Sequence, residues 1–191
     1  MDNLKKPLDL QLWLNEDLIR QQNFLKEQFI RIFQEVGNAL FTYDLRDLSP
    51  KPISPKLSRG NELNGLPYLV LDVIRDFHPE DGANIRLLNW FGVGCFVTLL
   101  LGKNRTNPIS DLLQEGFAFG LSANQWSYPD MILNGNHTID LSVINDAEFG
   151  FYHWIKPLKV VAEPDENIET FTIQIKKILG ILELTGQQHR I

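Results

Sequence analysis

The chain predicts an α+β fold in which one mixed or antiparallel sheet packs against long amphipathic helices at the N-terminal and C-terminal ends, with short inserted helices. Three observations carry this. Apolar residues recur at helical spacing near both ends, β-rich runs fill the space between, and the stretch from Arg59 to Lys103 packs strand-like runs beside a dense set of polar residues.

From Asn15 to Leu40, the positions Leu18, Leu25, Phe29, Ile32 and Val36 recur at steps of three, four or seven and so share one helical face. Asn15 suits the N-cap, Glu16 and Asp17 suit the positive end of the helix dipole, and Glu27, Arg31 and Glu35 are spaced for charge pairs on the other side. Such a helix can form half of a coiled coil, but one of this length more often packs across a sheet. Asp165 to Leu184 repeats the pattern through Ile168, Phe171, Ile175, Ile178 and Leu182, with Pro164 before the cap Asp165 and Gly186 past the end.

Between the helices, Tyr68 to Val73 reads as a strand. Gly94 to Leu101, apolar on both alternating sets, reads as a central strand covered on both faces. Pro79 to Phe91 reads as a helix, because Pro79-Glu80-Asp81 resembles a helix start and Ile85, Leu88 and Phe91 would share one face. Asn107-Pro108 opens a further helix to about Gly116, with asparagine as cap. Asn134-Gly135 signals a hairpin between Met131-Ile132-Leu133 and the run from His137 to Leu141. Phe149 to Ala162 is a long extended run whose Pro157 implies an edge or bulge. Strict alternation puts Phe149, Phe151 and His153 on one face and Tyr152 with Trp154 on the other. No internal repeat or linker interrupts the chain, and the proline-rich loop from Ser49 to Pro55 is the expected mobile segment.

Composition bounds the function classes. At 191 residues, 43% hydrophobic and 22% charged, the chain suits one globular domain with a sizeable core. No run reaches the eighteen apolar residues a membrane span needs. Asp9, Gln11, Asn15 and Glu16 break up any signal-peptide core, so the expectation is a cytoplasmic protein. The lone Cys95 forbids an internal disulfide and a cysteine-built metal site, and in its apolar run it reads as a buried, inert thiol. A net charge of −6 argues against nucleic acid, and the acidic excess falls after Gly60, where nine basic residues face sixteen acidic ones. Lys51, Lys56 and Arg59 cluster, but beside three prolines they read as a stiff surface loop.

Two turn-rich clusters are candidates for chemistry. Asp72, Arg75, Asp76 and His78 follow a strand, where a carboxylate beside imidazole can orient a base and Arg59 or Arg75 can fork an anion; the plainer account is a turn with local ion pairs and His78 capping the next helix. The aromatic set includes Trp90, Trp126 and Trp154 with His153 embedded in it, and it can line a pocket or simply fill a core. Phosphate-loop and hydrolase-elbow signatures are absent. The four histidines show no metal-binding spacing, so no metal and no cofactor are expected.

The run Arg59-Gly60, Gly65-Leu66-Pro67-Tyr68, Leu71-Asp72, Arg75, Phe77, Asn89-Trp90-Phe91-Gly92 and Phe96-Val97-Thr98-Leu99 resembles a family of uncharacterised bacterial cytosolic proteins. That resemblance carries no activity to this chain. The expectation that follows is a non-enzymatic binding or protein-interaction domain, in one form an immunity-type inhibitor that neutralises a basic partner. The alternative is a small-molecule-binding protein or enzyme using Asp72, Arg75 and His78 or His153 beside an aromatic pocket. A self-associating subunit with an exposed aromatic strand at Trp154 is a third reading. No membrane or nucleic-acid partner is expected, and the oligomeric state stays open.

Overall fold

Among the described residues, seven strands form one sheet in which every pairing is antiparallel. They are β1 (Lys56–Leu63), β2 (Leu66–Arg75), β3 (Ala83–Trp90), β4 (Gly94–Gly102), β5 (Ala118–Gly120), β6 (His137–Thr138) and β7 (Phe151–Leu158), and they lie in the order β1-β2-β3-β4-β7-β5-β6. Among the described residues there are six helices: α1 (Leu10–Trp13), α2 (Glu16–Leu40), α3 (Ile109–Gln114), α4 (Tyr128–Leu133), α5 (Leu141–Asn145) and α6 (Pro164–Gln188). This is a computed structural model, and it describes residues 7–41, 43, 45, 48 and 54–188. Lys51, most of the proline-rich loop and His189 lie outside the described residues.

Side-chain parity divides the sheet into two unlike faces. One packs Leu71, Ile85, Leu87, Val97, Leu99 and Trp154 against Phe33, Val36 and Leu40 of α2 and Phe171, Ile175 and Ile178 of α6. Each such burial is worth roughly 1.5–3 kcal/mol. The two long helices also meet directly, with Phe33 and Phe171 edge-to-face at 6.3 Å. Asn15 caps α2 as expected, its side chain accepting from the Leu18 amide. The other face carries Val70, Leu88 and Trp90 and is covered by Tyr128 of α4.

Several expectations need correction. The segment read as a helix from Pro79 to Phe91 is a loop followed by β3, all eight of whose residues are buried. Ile85 and Leu88 share a helical spacing, but in the strand they lie on opposite faces, each with its own cover. Met131 to Leu133 belong to α4, so Asn134-Gly135 turns a helix into β6 rather than closing a hairpin. The two-residue hairpin is Asn64-Gly65, with φ of 50° and 77° between paired Leu63 and Leu66, the backbone a type I′ turn needs. Asn107 does not cap α3, whose N-cap is Pro108; its amide oxygen instead accepts from the Trp154 indole at 2.9 Å. Helix α6 starts at Pro164 and runs through Gly186 to Gln188.

The β2–β3 loop is held by β4. Gly102 N donates to Gly82 O, Lys103 N to Pro79 O and Asn104 N to Glu80 O, at 2.9, 3.2 and 2.8 Å. The approach is close enough that a Cβ on Gly102 would sit 2.3 Å from the Glu80 carbonyl oxygen, so glycine is required there. Pro157, opposite Phe96, lies beyond the short β5, which pairs only Trp154 and Ile155, in keeping with the edge position its missing N–H demands.

Candidate functional site

Asp72, Arg75 and His78 are sent three ways. Asp72 points to the α4-covered face, where register places it opposite Arg86, and the two make a forked ion pair: Arg86 Nε donates to Oδ1 at 2.7 Å and Nη2 to Oδ2 at 3.2 Å. Arg75 pairs across the strands with Asn84, its Nε buried without a hydrogen bond. His78 is exposed, and its Nδ1 accepts from the amides of Glu80 and Asp81 while Asp76 accepts from the His78 amide. It caps a turn, not a helix, and it is no partner for Asp72.

The residue that organises this face is Arg86, which the sequence reading passed over. Its Nη1 donates to the Tyr128 hydroxyl at 3.0 Å, and the rings of Trp126, Tyr128 and Phe77 surround its guanidinium carbon at 5.4, 5.5 and 5.8 Å. Asn84 adds a bond from Nδ2 to Asp72 Oδ1 at 2.9 Å. Burial opposes the Arg86 charge, but the bonds to Asp72 and the proximity of Tyr128 outweigh it and raise its pKa. Burial likewise raises the Tyr128 pKa, against the pull of Arg86. One signal for Arg86 was present, since Asn84-Ile85-Arg86-Leu87 alternates polar and apolar at the strand period.

His153 shares a face with Phe151 as the alternation predicts, but the strand is only Phe151–Leu158, and Phe149, which precedes it, packs against Phe119 on the opposite, helix-covered side. His153 lies on the Arg86 face, edge-on to Tyr128 at 5.2 Å, while Trp154 turns to the helix-covered core against Phe119. Neither His153 nitrogen has a hydrogen-bond partner, and burial, then the Arg86 charge, push its pKa down to about 3. It is a neutral, enclosed imidazole. Trp90 is also fully buried, its indole donating to Leu63 O at 3.1 Å, whereas Trp126 is 46% exposed and tilts against Phe77. The buried Trp154 removes the exposed aromatic strand that self-association through β7 requires. This constellation therefore fixes the sheet and α4 together. It brings no accessible base beside an open hollow, and among the described residues no group of three potential ligands could hold a metal.

Open surface lies elsewhere, along the first half of α2. Buried residues of that helix begin at Ile32; before it, Leu8, Leu10, Leu12, Trp13, Leu14, Ile19, Phe24 and Leu25 are all exposed, Trp13 at 70% and Phe24 at 67%. At 100° per residue, Ile19, Phe24 and Leu25 point in three different directions, so this arm exposes apolar groups on more than one side. A separate hollow of about 640 Å³ opens between α2 and the edge strand β1. Asn23, Lys26, Glu27 and Ile30 reach it from one helical face, and Arg59 and Asn61 reach it from alternate positions of β1. Arg59 is thus the predicted residue that the fold does place at an open site. No family model matches the chain, and no curated protein or solved structure is similar to it.

Proposed function

We propose that this chain is a non-catalytic protein-interaction domain that engages its partner through the N-terminal arm, α1 and the first half of α2. The observation that carries the reading is the eight apolar side chains left in solvent from Leu8 to Leu25. Full burial of a large aromatic covers about 150–250 Å², so Trp13 and Phe24 alone leave roughly 200–350 Å² uncovered. Six more aliphatic side chains add to the apolar area that the arm leaves exposed. Leu10, Trp13 and Leu14 follow the i, i+3, i+4 spacing of a helix laid into a groove.

The acidic residues interleaved on the arm, Asp9, Glu16 and Asp17, choose among occupants. They disfavour an anionic lipid surface and favour a polypeptide whose apolar groove carries a basic rim. The net charge of −6 favours the same partner, and an immunity-type inhibitor is the narrower form of this reading. Affinity capture with the wild type and with Trp13→Glu/Phe24→Glu tests it. The expected result is a protein retained in stoichiometric amount by the wild type, lost with the variant and bound more slowly as salt rises. Equal retention by both proteins, or retention of nothing while wild type binds lipid vesicles, refutes it.

A further inference from the structure

We propose a second, independent site: the hollow between α2 and β1 binds a small hydroxylated anion with a phosphate or carboxylate head. The fold builds it from two regular elements. The I′ turn at Asn64-Gly65 folds β1 back as the sheet edge with Arg59 and Asn61 on one side, and α2 crosses above with Asn23, Lys26, Glu27 and Ile30 at i, i+3, i+4 and i+7. Phe91 closes one end, held edge-to-face by Phe29 at 5.7 Å.

Charge and hydrogen bonding then select the ligand. Among the described residues, Lys26 and Arg59 make no ion pair and no hydrogen bond, whereas Arg20, Lys103 and Lys177 are each held by a carboxylate. Two unengaged cations of different geometry, the fork of arginine and the point charge of lysine, bracket an anionic head across one hollow. Asn23 and Asn61 add amide donors and acceptors. Glu27 is the counterweight: its carboxylate cannot bind the head, so it accepts from a hydroxyl or amine on the ligand body. A volume of about 640 Å³ is that of a small-molecule site.

Titration calorimetry with inorganic phosphate and with glycerol 3-phosphate, at constant ionic strength in chloride, tests the proposal. Arg59→Gln and Lys26→Gln are each expected to weaken glycerol 3-phosphate about tenfold, the loss of one charge-assisted contact. Glu27→Gln is expected to weaken glycerol 3-phosphate without weakening inorganic phosphate, because only the ester carries carbon-bound hydroxyls on a ligand body. These residues are at the surface, and unchanged melting temperatures without ligand would show the variants to be folded. The arm variant Trp13→Glu/Phe24→Glu is expected to keep full anion affinity, which separates failure of this site from failure of the interaction reading. Absence of binding by both probes at millimolar concentration, or equal binding by wild type and both cation variants, overturns the proposal.

Discussion

Removing the carboxylate of Asp72 is the sharpest perturbation the fold offers. Asp72→Ala takes away two of the three hydrogen bonds that Arg86 makes and its counter-ion, at a site where both side chains are about nine-tenths buried. The guanidinium cannot shed its proton, and the three rings around it supply only quadrupole attraction. Breaking a buried pair by removing one partner costs roughly 3–5 kcal/mol, a large share of the ~5–15 kcal/mol that holds a domain folded. The exposed pair Arg20–Glu16 is the internal control, since Glu16→Ala there is worth no more than about 0.5 kcal/mol. Urea denaturation monitored by circular dichroism reads both, and a fall in midpoint at constant slope identifies a change in stability. Asp72→Leu/Arg86→Met, which removes both charges, is expected to recover most of the loss, so the double-mutant cycle should show strong coupling. If Asp72→Ala costs no more than Glu16→Ala, the pair does not anchor this face.

Three other outcomes are expected. His153 has a native pKa near 3 against an ordinary 6.5, so the unfolded state binds the extra proton. Its share of stability is intact above pH 6.5 and is lost as pH falls from there toward 3, by up to a few kcal/mol, and acid unfolding of His153→Phe should lack this component. Gly180→Ala, with open space around its Cβ in the interior of α6, should raise stability by roughly 0.5–1 kcal/mol, whereas Gly102→Ala, facing the Glu80 carbonyl, should lower it by about 2 kcal/mol or more; thermal melts of the two should move in opposite directions. Burial pushes the Cys95 thiol up to about 12, so a thiol reagent at pH 8 should label it only after denaturant is added.

Local periodicity and tertiary pairing contributed differently to what could be read. The long helices were legible because a 3.6-residue stripe such as Phe171, Ile175, Ile178 and Leu182 needs no knowledge of its partner. The faces of β7 were legible for the same reason at period two, and His153 and Trp154 do part there. β3 was not, because the apolar Ile85, Leu88 and Phe91 also fit a helical stripe behind the start-like Pro79-Glu80-Asp81, and that stripe competed with the alternation of Asn84 to Leu87. The candidate site shows the same limit. Arg59 was singled out, yet its neighbours Lys26 and Glu27 stand about thirty residues away on α2, and only the packing of α2 over β1 brings them to one hollow.

The sequence by itself determined the α+β class, the two long helices, the inert Cys95 and the face each residue of β7 presents, because these follow from spacing within one segment. Tertiary structure alone decided that Asp72 serves Arg86 rather than His78, and that the apolar arm projects where its own sheet cannot cover it. The reason is physical. Strand register and helix placement are set by the burial of many side chains at once, so the partner of any single polar group is fixed only when the whole sheet has paired.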